Sequence, residues 1–598
     1  MLGAAGVVAG SGIFSLAECG PFARTGDRLL VAAWMGTLTL GIAFLAASLV
    51  APLGGATSLV VTAVLVIAAL AFGQLRGALV EALRAVKPWP VVGLVALGLG
   101  VALYTSQPVV LYDTGLYHAG AIEWLSRYGS VRGVAFLEYR FGFTSSWFAL
   151  AAAFNTGPLA GRVDALTGGY ALLLGAIHFV VVVARIARSE GRVADWFAAI
   201  AYLVALTWLV RSGLTLSPSP DVPVIVLGIF VSWAIVVLAT ESGQQQKAVA
   251  GWRLPAPAVP LLLAVGALSL KPSAAPLVLA TGLYYLVSCG VSRQVIGLAW
   301  LSAILVLPNV LVSLTTSGCP LFPSSVLCGH VPWSLGGVAA AADQGESRDF
   351  LRWTGAPPAG ANALNWIPHW FRNEPLGTIF IAYALLASAA TVPLRRITAT
   401  PGAVWMIAVA VVGIAYVLAF SPAYRFMLGF VVAPPAYLGA VVCERWRLRP
   451  AVLVPAVLMA ILSIALATNA DPNTTHLTPS ARAYSLILPM GALSLVAALL
   501  VQSVPSLPQV GLAPAALLFA VLIATRNPGL LSGLGSPPLL PSVSRDALVA
   551  HSVNDLSYFS PPEGKVCWNV IPCTTWPVLP TVRLLDPRQG IGGGISRD

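Results

Sequence analysis

The chain has 598 residues, 58% of them hydrophobic and only 9% charged, with a mean hydropathy of +0.86. Soluble domains carry nearer a quarter charged residues, so the composition excludes an ordinary soluble fold and predicts an all-α polytopic membrane protein. The net charge of +11 does not point to nucleic acid, because the basic residues cluster between apolar runs (Arg185, Arg188 and Arg192; Arg395 and Arg396; Arg445, Arg447 and Arg449). That distribution is the positive-inside signature of membrane loops.

A span needs about twenty apolar residues. In chain order the candidates fall near residues 1–18, 29–51, 56–74, 88–105, 168–186, 194–210, 222–240, 256–271, 275–289, 294–313, 376–394, 402–420, 425–442, 449–468, 483–503 and 508–526. Several are short, so the count is roughly fourteen to sixteen. Residues 1–18 lack a basic leading region and precede another span, which reads as a first or partial span rather than a cleaved signal. Residues 143–157 are apolar but read as a membrane-associated helix. Three regions follow: extra membrane helices over 1–87, a transmembrane core over 88–526 with loops at 106–167 and 314–375, and a tail over 527–598.

Placing Arg76, Arg84 and Lys87 in the cytoplasm puts both long loops, the SPSPD string at 217–221 and the tail outside. Arg185 to Arg192, Arg395–Arg396 and Glu444 to Arg449 then fall inside. The cysteines agree. Cys19, Cys289 and Cys443 fall inside or within spans, whereas Cys319 and Cys328, and Cys567 and Cys573, fall outside as two close pairs suited to disulfides. The tail, rich in Gly and Pro with short β-like runs, is expected to form a small extracytoplasmic cap stapled by Cys567–Cys573. The scattered histidines give no zinc spacing.

Residues 108–146 carry two Glu, three Arg, one Asp and one His beside a span, in a chain that is otherwise mostly apolar. The topology collects Asp113, His118, Asp221, Lys271, His369, Arg425 and Arg482 on one face, and charges at span ends that face the interior are costly and usually functional. Each also has a plainer reading. Asp113 would cap a helix beginning near Thr114, a role compatible with general base or metal contact. His118 would share its face if the segment is helical, or be an interfacial side chain. Lys271, in SLKPSAAP, marks a broken helix whose freed backbone groups could line a polar cavity; otherwise it snorkels. Arg425, in SPAYRF, could pair a phosphate or snorkel. Asp221 after SPSP reads first as a cap. Lys271 and Arg425 facing a carboxylate suit a lipid-linked sugar phosphate, the cations neutralising the leaving phosphate and the carboxylate taking a hydroxyl proton.

The string YDTGLYHAGAIEWLSRYGSVRGVAFLEYRFGFTSSWF resembles the first extracytoplasmic loop of GT-C type membrane glycosyltransferases, with an acid just after an early span and then an amphipathic helix along the membrane surface. LSPSPDVPVIVL, LKPSAAPLVL, SGCPLFPSSVLCGHVPWS, NWIPHWF, SPAYRF and CWNVIPCTTW resemble one bacterial branch of that superfamily, so the likeness runs over most of residues 88–586. It implies a GT-C-like helical bundle with extracytoplasmic amphipathic loop helices in a bacterial inner (plasma) membrane, its active face extracytoplasmic. It implies transfer of a sugar from a polyprenyl-phosphate donor to a glycan or lipid acceptor, among membrane lipids. Asp113 would be the base with His118 assisting, and Lys271 and Arg425 would hold the phosphate, with Tyr112, Tyr117, Asp221 and His369 as further substrate-binding candidates. One Asp stands where better-known members have adjacent acids, so no cofactor is certain and a divalent metal is the one candidate. The competing expectations are a transporter or flippase of lipid-linked glycans, which broken helices such as SLKPSAAP also suit, and a non-catalytic membrane subunit.

Overall fold

The computed structural model describes residues 2–14, 22, 24–71, 88–107, 109, 111–241, 254–353, 355–362, 364–398, 402–448 and 547–597. The spans expected at 449–468, 483–503 and 508–526, Arg76, Arg84 and Lys87, expected on the cytoplasmic side, and Cys19 and Arg482 lie outside the described residues.

Helix α1 (Leu2–Phe14) packs on α2 (Thr25–Ala47), followed by α3 (Gly55–Ala71) and α4 (Pro88–Thr105). The next loop holds a widened turn over Thr114–His118, α5 (Ala119–Arg127) and α6 (Ser146–Ala152). Three helices follow, α7 (Val163–Ala187), α8 (Val193–Arg211) and α9 (Asp221–Glu241). Then come α10 (Ala258–Leu270) and α11 (Ala275–Cys289), interrupted at Lys271–Pro272, and α12 (Arg293–Ser317). The second long loop contains α13 (Gly336–Trp353) and α14 (Trp366–Asn373), and α15 (Pro375–Thr398), α16 (Ala403–Phe420), α17 (Tyr424–Val431) and α18 (Ala433–Arg445) complete the described bundle.

Among the described residues eight helices are long and apolar enough to cross a membrane, or nine if the bent pair formed by α14 and α15 counts as one span. That fits a multi-pass membrane protein. Four of the expected spans, near 1–18, 56–74, 88–105 and 256–271, are apolar helices with fewer than eighteen residues in their apolar stretch. The stretch at 143–157 contains only the seven-residue α6, all of it buried within the protein. It is therefore an internal wedge and not a helix resting on the membrane.

A helix that is apolar all round must be surrounded by protein or lipid. Helix α9 meets this condition with protein, its whole apolar window being buried, whereas only 11% of the α12 window is. The axis of the bundle is thus α9. Helix α17 crosses it where Gly228 meets Gly429: a Cβ on Gly228 would stand 3.2 Å from the Gly429 Cα, and one on Gly429 would stand 3.2 Å from the Ile225 carbonyl oxygen. Small residues let helix backbones approach this closely. Asp221 lies about two turns before that crossing and Arg425 about one, so the crossing sets their separation.

At the other end of α9 lies a network that the sequence reading took only as a topology signal. Arg185 is buried, its Nη1 lying 2.6 Å from Asp27 Oδ1 and 3.1 Å from Asp195 Oδ1, while Arg24 Nη1 lies 2.7 Å from Asp195 Oδ2. A buried guanidinium needs such partners, and two carboxylates from α2 and α8 supply them.

The tail forms two antiparallel ribbons, β1 (Val549–Val553) with β2 (Leu556–Ser560) and β3 (Val582–Leu584) with β4 (Ile595–Arg597). Both expected disulfides are present, Cys319–Cys328 and Cys567–Cys573. The tail buries Leu556, Tyr558, Val582 and Ile595 against Trp124, Val134, Leu137 and Phe141 of the first long loop. Consequently α5 and the turn before it are sandwiched between bundle and tail. The face of α5 that the expected surface helix would turn from the bundle is thus covered by the tail.

Replacing Gly228 by Leu should force α17 off α9 and destabilise the fold by about 2–3 kcal/mol, the usual scale of core overpacking. Thermal unfolding in detergent, read by circular dichroism against Gly54→Leu, where a Cβ meets nothing within 4 Å, checks this.

Candidate functional site

Four charged side chains from distant parts of the chain meet at the end of the bundle where α9 begins. Arg425 Nη2 donates to Asp113 Oδ2 at 3.0 Å, and Arg425 Nε lies 3.5 Å from Asp221 Oδ2. Lys271 Nζ donates to Asp221 Oδ1 and sits 3.7 Å from the centre of the Phe426 ring. The Arg425 guanidinium carbon is 5.1 Å from the same ring, so one aromatic face serves both cations. Two carboxylates thus balance two cations. Their access differs: the Asp221 side chain is 4% exposed, but those of Asp113 and Arg425 are 28% and 30% exposed.

Local structure places each member. The carbonyl of Thr114 accepts from the Ala119 amide, five residues on, which widens this turn. In an ordinary helix residues five apart stand about 140° apart round the axis; closing the turn five residues on reduces that offset and brings His118 towards the face of Asp113. The Asp113 carboxylate makes no cap hydrogen bond, so the expected cap role is replaced by the pair with Arg425. Nor is Asp221 the cap expected, since the Ser219 hydroxyl accepts from the Asp221 amide at 3.3 Å and leaves the carboxylate for Lys271 and Arg425. Gly168 and Gly169 let α7 press on both neighbours of the site: a Cβ on Gly168 would fall 2.3 Å from the Thr215 carbonyl, and one on Gly169 would fall 2.9 Å from Thr105 Oγ1.

The break at Pro272 frees backbone carbonyls, yet they do not line a ligand cavity as expected. Asn309 Nδ2 donates to the Ser269 carbonyl at 2.8 Å, Ser145 Oγ to that of Leu270 at 2.7 Å, and Tyr416 to that of Pro272 at 3.2 Å. These protein donors meet the demand an apolar bundle imposes on every unpaired carbonyl. The break therefore serves to aim Lys271 at Asp221 rather than to let it snorkel.

His118 is buried, with Nδ1 3.3 Å from Ser217 Oγ, and Ser217 Oγ is also 2.6 Å from Thr114 Oγ1. Burial lowers the imidazole to about 4, outweighing the nearby Asp113 and Asp221 charges, so it is neutral at pH 7. Tyr117 packs edge-on against His118, Phe143 and Phe148. Its hydroxyl is pushed well above its ordinary range by burial and by the two carboxylates, and so stays protonated as a donor. Tyr112 is exposed on the same turn. His369 stands apart, its Nε2 3.2 Å from the Trp353 carbonyl and its ring against Trp353. Sequence reasoning missed Ser217 and Phe426, although both lie in the SPSPD and SPAYRF strings it singled out.

Asp113 and Asp221 are each occupied by a cation, and among the described residues no three His, Cys, Asp or Glu side chains converge as ligands. The donor set does not fit a divalent metal.

The tail closes over this turn. The Trp568 amide donates to the Gly115 carbonyl at 2.8 Å, and a Cβ on Gly115 would fall 2.4 Å from Val566 Cγ2. Only glycine admits the tail at that point.

Fold and site together define a multi-pass helical bundle with an ion-paired polar cluster at one end. The chain belongs to the family described as "Domain of unknown function (DUF8201)", whose model matches residues 4–432. That span contains all four cluster residues and stops before the tail. Neither a curated protein nor a solved structure matches the chain.

Two measurements test this arrangement. Lys271→Met should destabilise by about 2–3 kcal/mol, somewhat under the cost of orphaning a fully buried charge because Arg425 still stands 3.5 Å from Asp221, and Lys271→Met/Asp221→Asn should recover part of the loss in a double-mutant cycle. Separately, because the folded imidazole of His118 binds its proton less readily than the unfolded one, its contribution is fully present above pH 6.5 and is lost as pH falls towards about 4. His118→Gln should flatten the melting temperature over that window.

Proposed function

We propose that the protein is a membrane glycosyltransferase that moves a sugar from a polyprenyl-phosphate donor to a glycan or lipid acceptor on the extracytoplasmic face of a bacterial inner membrane. The observation that carries this reading is the meeting of Asp113, Asp221, Lys271 and Arg425 at one end of an otherwise apolar bundle, with the Asp113–Arg425 pair left partly open. In this reading Arg425 holds the donor phosphate through its planar fork, and Lys271 adds positive charge behind it. Asp113 takes the proton of the acceptor hydroxyl as it attacks the sugar, and the phosphate leaves against the cations. Tyr117, protonated and beside the cluster, is placed to donate to a sugar oxygen. Neutral His118 orients the turn through Ser217 and does not itself carry charge. The GT-C-like identity of the bundle belongs to the same proposal.

A second reading, a transporter or flippase of lipid-linked glycans, draws on the helix interrupted at Lys271–Pro272 beside the cluster, since discontinuous helices line the binding sites of many transporters. One assay separates the two. With purified protein, a polyprenyl-phosphate sugar and an acceptor extract, Asp113→Asn should lower transfer by about 10²–10⁴-fold, the range for losing a general base. Full transfer by that variant removes Asp113 as base; movement of the lipid across liposomes without any transfer favours the second reading.

A further inference from the structure

We propose that Asp113 and the phosphate of a lipid-linked ligand compete for Arg425, so that phosphate binding releases the Asp113 carboxylate and arms the site only when the donor is in place. The inference rests on the reading that this site takes a lipid phosphate, and it adds an order of events: donor first, acceptor second.

The cluster has no spare charge. Asp113 and Asp221 balance Lys271 and Arg425, and burial keeps His118 neutral. An arriving phosphate therefore finds each cation already paired with a carboxylate and competes with it. The two carboxylates are unequal opponents. Asp221 is 4% exposed and held by both Lys271 and Arg425, whereas Asp113 is 28% exposed, is held by Arg425 alone among the described residues, and makes no bond to the backbone of its own turn. Arg425 also retains an unused donor, since its Nε is buried without a hydrogen-bond partner and 3.5 Å from Asp221. A phosphate can take the Nη2 donor now given to Asp113, with Lys271 and Asp221 left undisturbed. The displaced carboxylate, repelled by the phosphate, regains the lone pairs that Arg425 had occupied and can accept a hydroxyl proton. Before displacement Oδ2 of that carboxylate already accepts from Arg425 Nη2 at 3.0 Å, so that oxygen is not free to meet an acceptor hydroxyl.

The test is binding of farnesyl phosphate to the full chain in detergent by isothermal titration calorimetry, with farnesol and inorganic phosphate as comparison ligands. Asp113→Asn removes the competitor, so it should bind farnesyl phosphate about three- to tenfold more tightly than the parent chain, the scale of a partly exposed ion pair. Asp113→Ser should do the same, which guards against a variant that fails to fold. Arg425→Ala should bind at least tenfold more weakly, and adding Asp113→Asn to it should restore nothing. Loss of binding in Arg425→Ala with unchanged or weaker binding in both Asp113 variants overturns the exchange and leaves the phosphate site standing. No loss in Arg425→Ala, or equal binding of farnesol, overturns the phosphate reading and this inference with it. Equal affinity for inorganic phosphate overturns the lipid-linked source.

Discussion

The constraint on which the rest depends is the cost of charge inside an apolar bundle. An unpaired ion away from water costs several kcal/mol even after relaxation, so each must find a partner or a route to solvent. This chain meets the demand at both ends of its central helix, some 30 Å apart by helix rise. At one end Arg185 is buried between Asp27 and Asp195 and acts as a staple joining α2, α7 and α8. At the other, Asp221 is as deeply buried, but its network ends in the partly open pair of Asp113 and Arg425. Both networks have an accessible edge, since Arg24, paired with Asp195, is 26% exposed at the first and Asp113 28% exposed at the second.

The geometry at the open end is fixed by close backbone approach. Gly228 against Gly429 sets the spacing of the helices bearing Asp221 and Arg425, Gly168 and Gly169 seat α7 on the site's flanks, and Gly115 admits the tail. The side chains are thus held by helices whose separation cannot relax without backbone clash. The interrupted helix contributes differently, since its exposed carbonyls are taken by Asn309, Ser145 and Tyr416 and its direction is thereby locked.

Much of the site was legible in the sequence because a charge in an oily context is conspicuous. Asp113, Lys271 and Arg425 stood out on that ground, and the two close cysteine pairs matched the disulfides. Pairing was not legible. Asp113 and Arg425 are 312 positions apart, and nothing local in either string names the other. Asp221 looked like a cap because Asp at a helix start usually is one; here Ser219 takes the amide and tertiary contacts claim the carboxylate. Arg185 was read as a marker of sidedness for the same reason, since burial depends on neighbours that a one-dimensional pattern does not contain. Length misled as well, because an apolar stretch such as 256–271 satisfies a hydropathy window while the helix stops after thirteen residues at a proline-forced break.

The hydrogen bond from Trp568 to Gly115 bears on how the molecule is made. Translation delivers the turn carrying Asp113 and His118 early and the segment that covers it hundreds of residues later. Until Val566 and Trp568 arrive, that face of the turn lacks the contacts they supply, and the glycine that admits them lends it backbone freedom. Maturation of the site therefore waits on a segment made long after it, so a chain cut short after α18 would carry all four cluster charges and still lack the cover of its first loop.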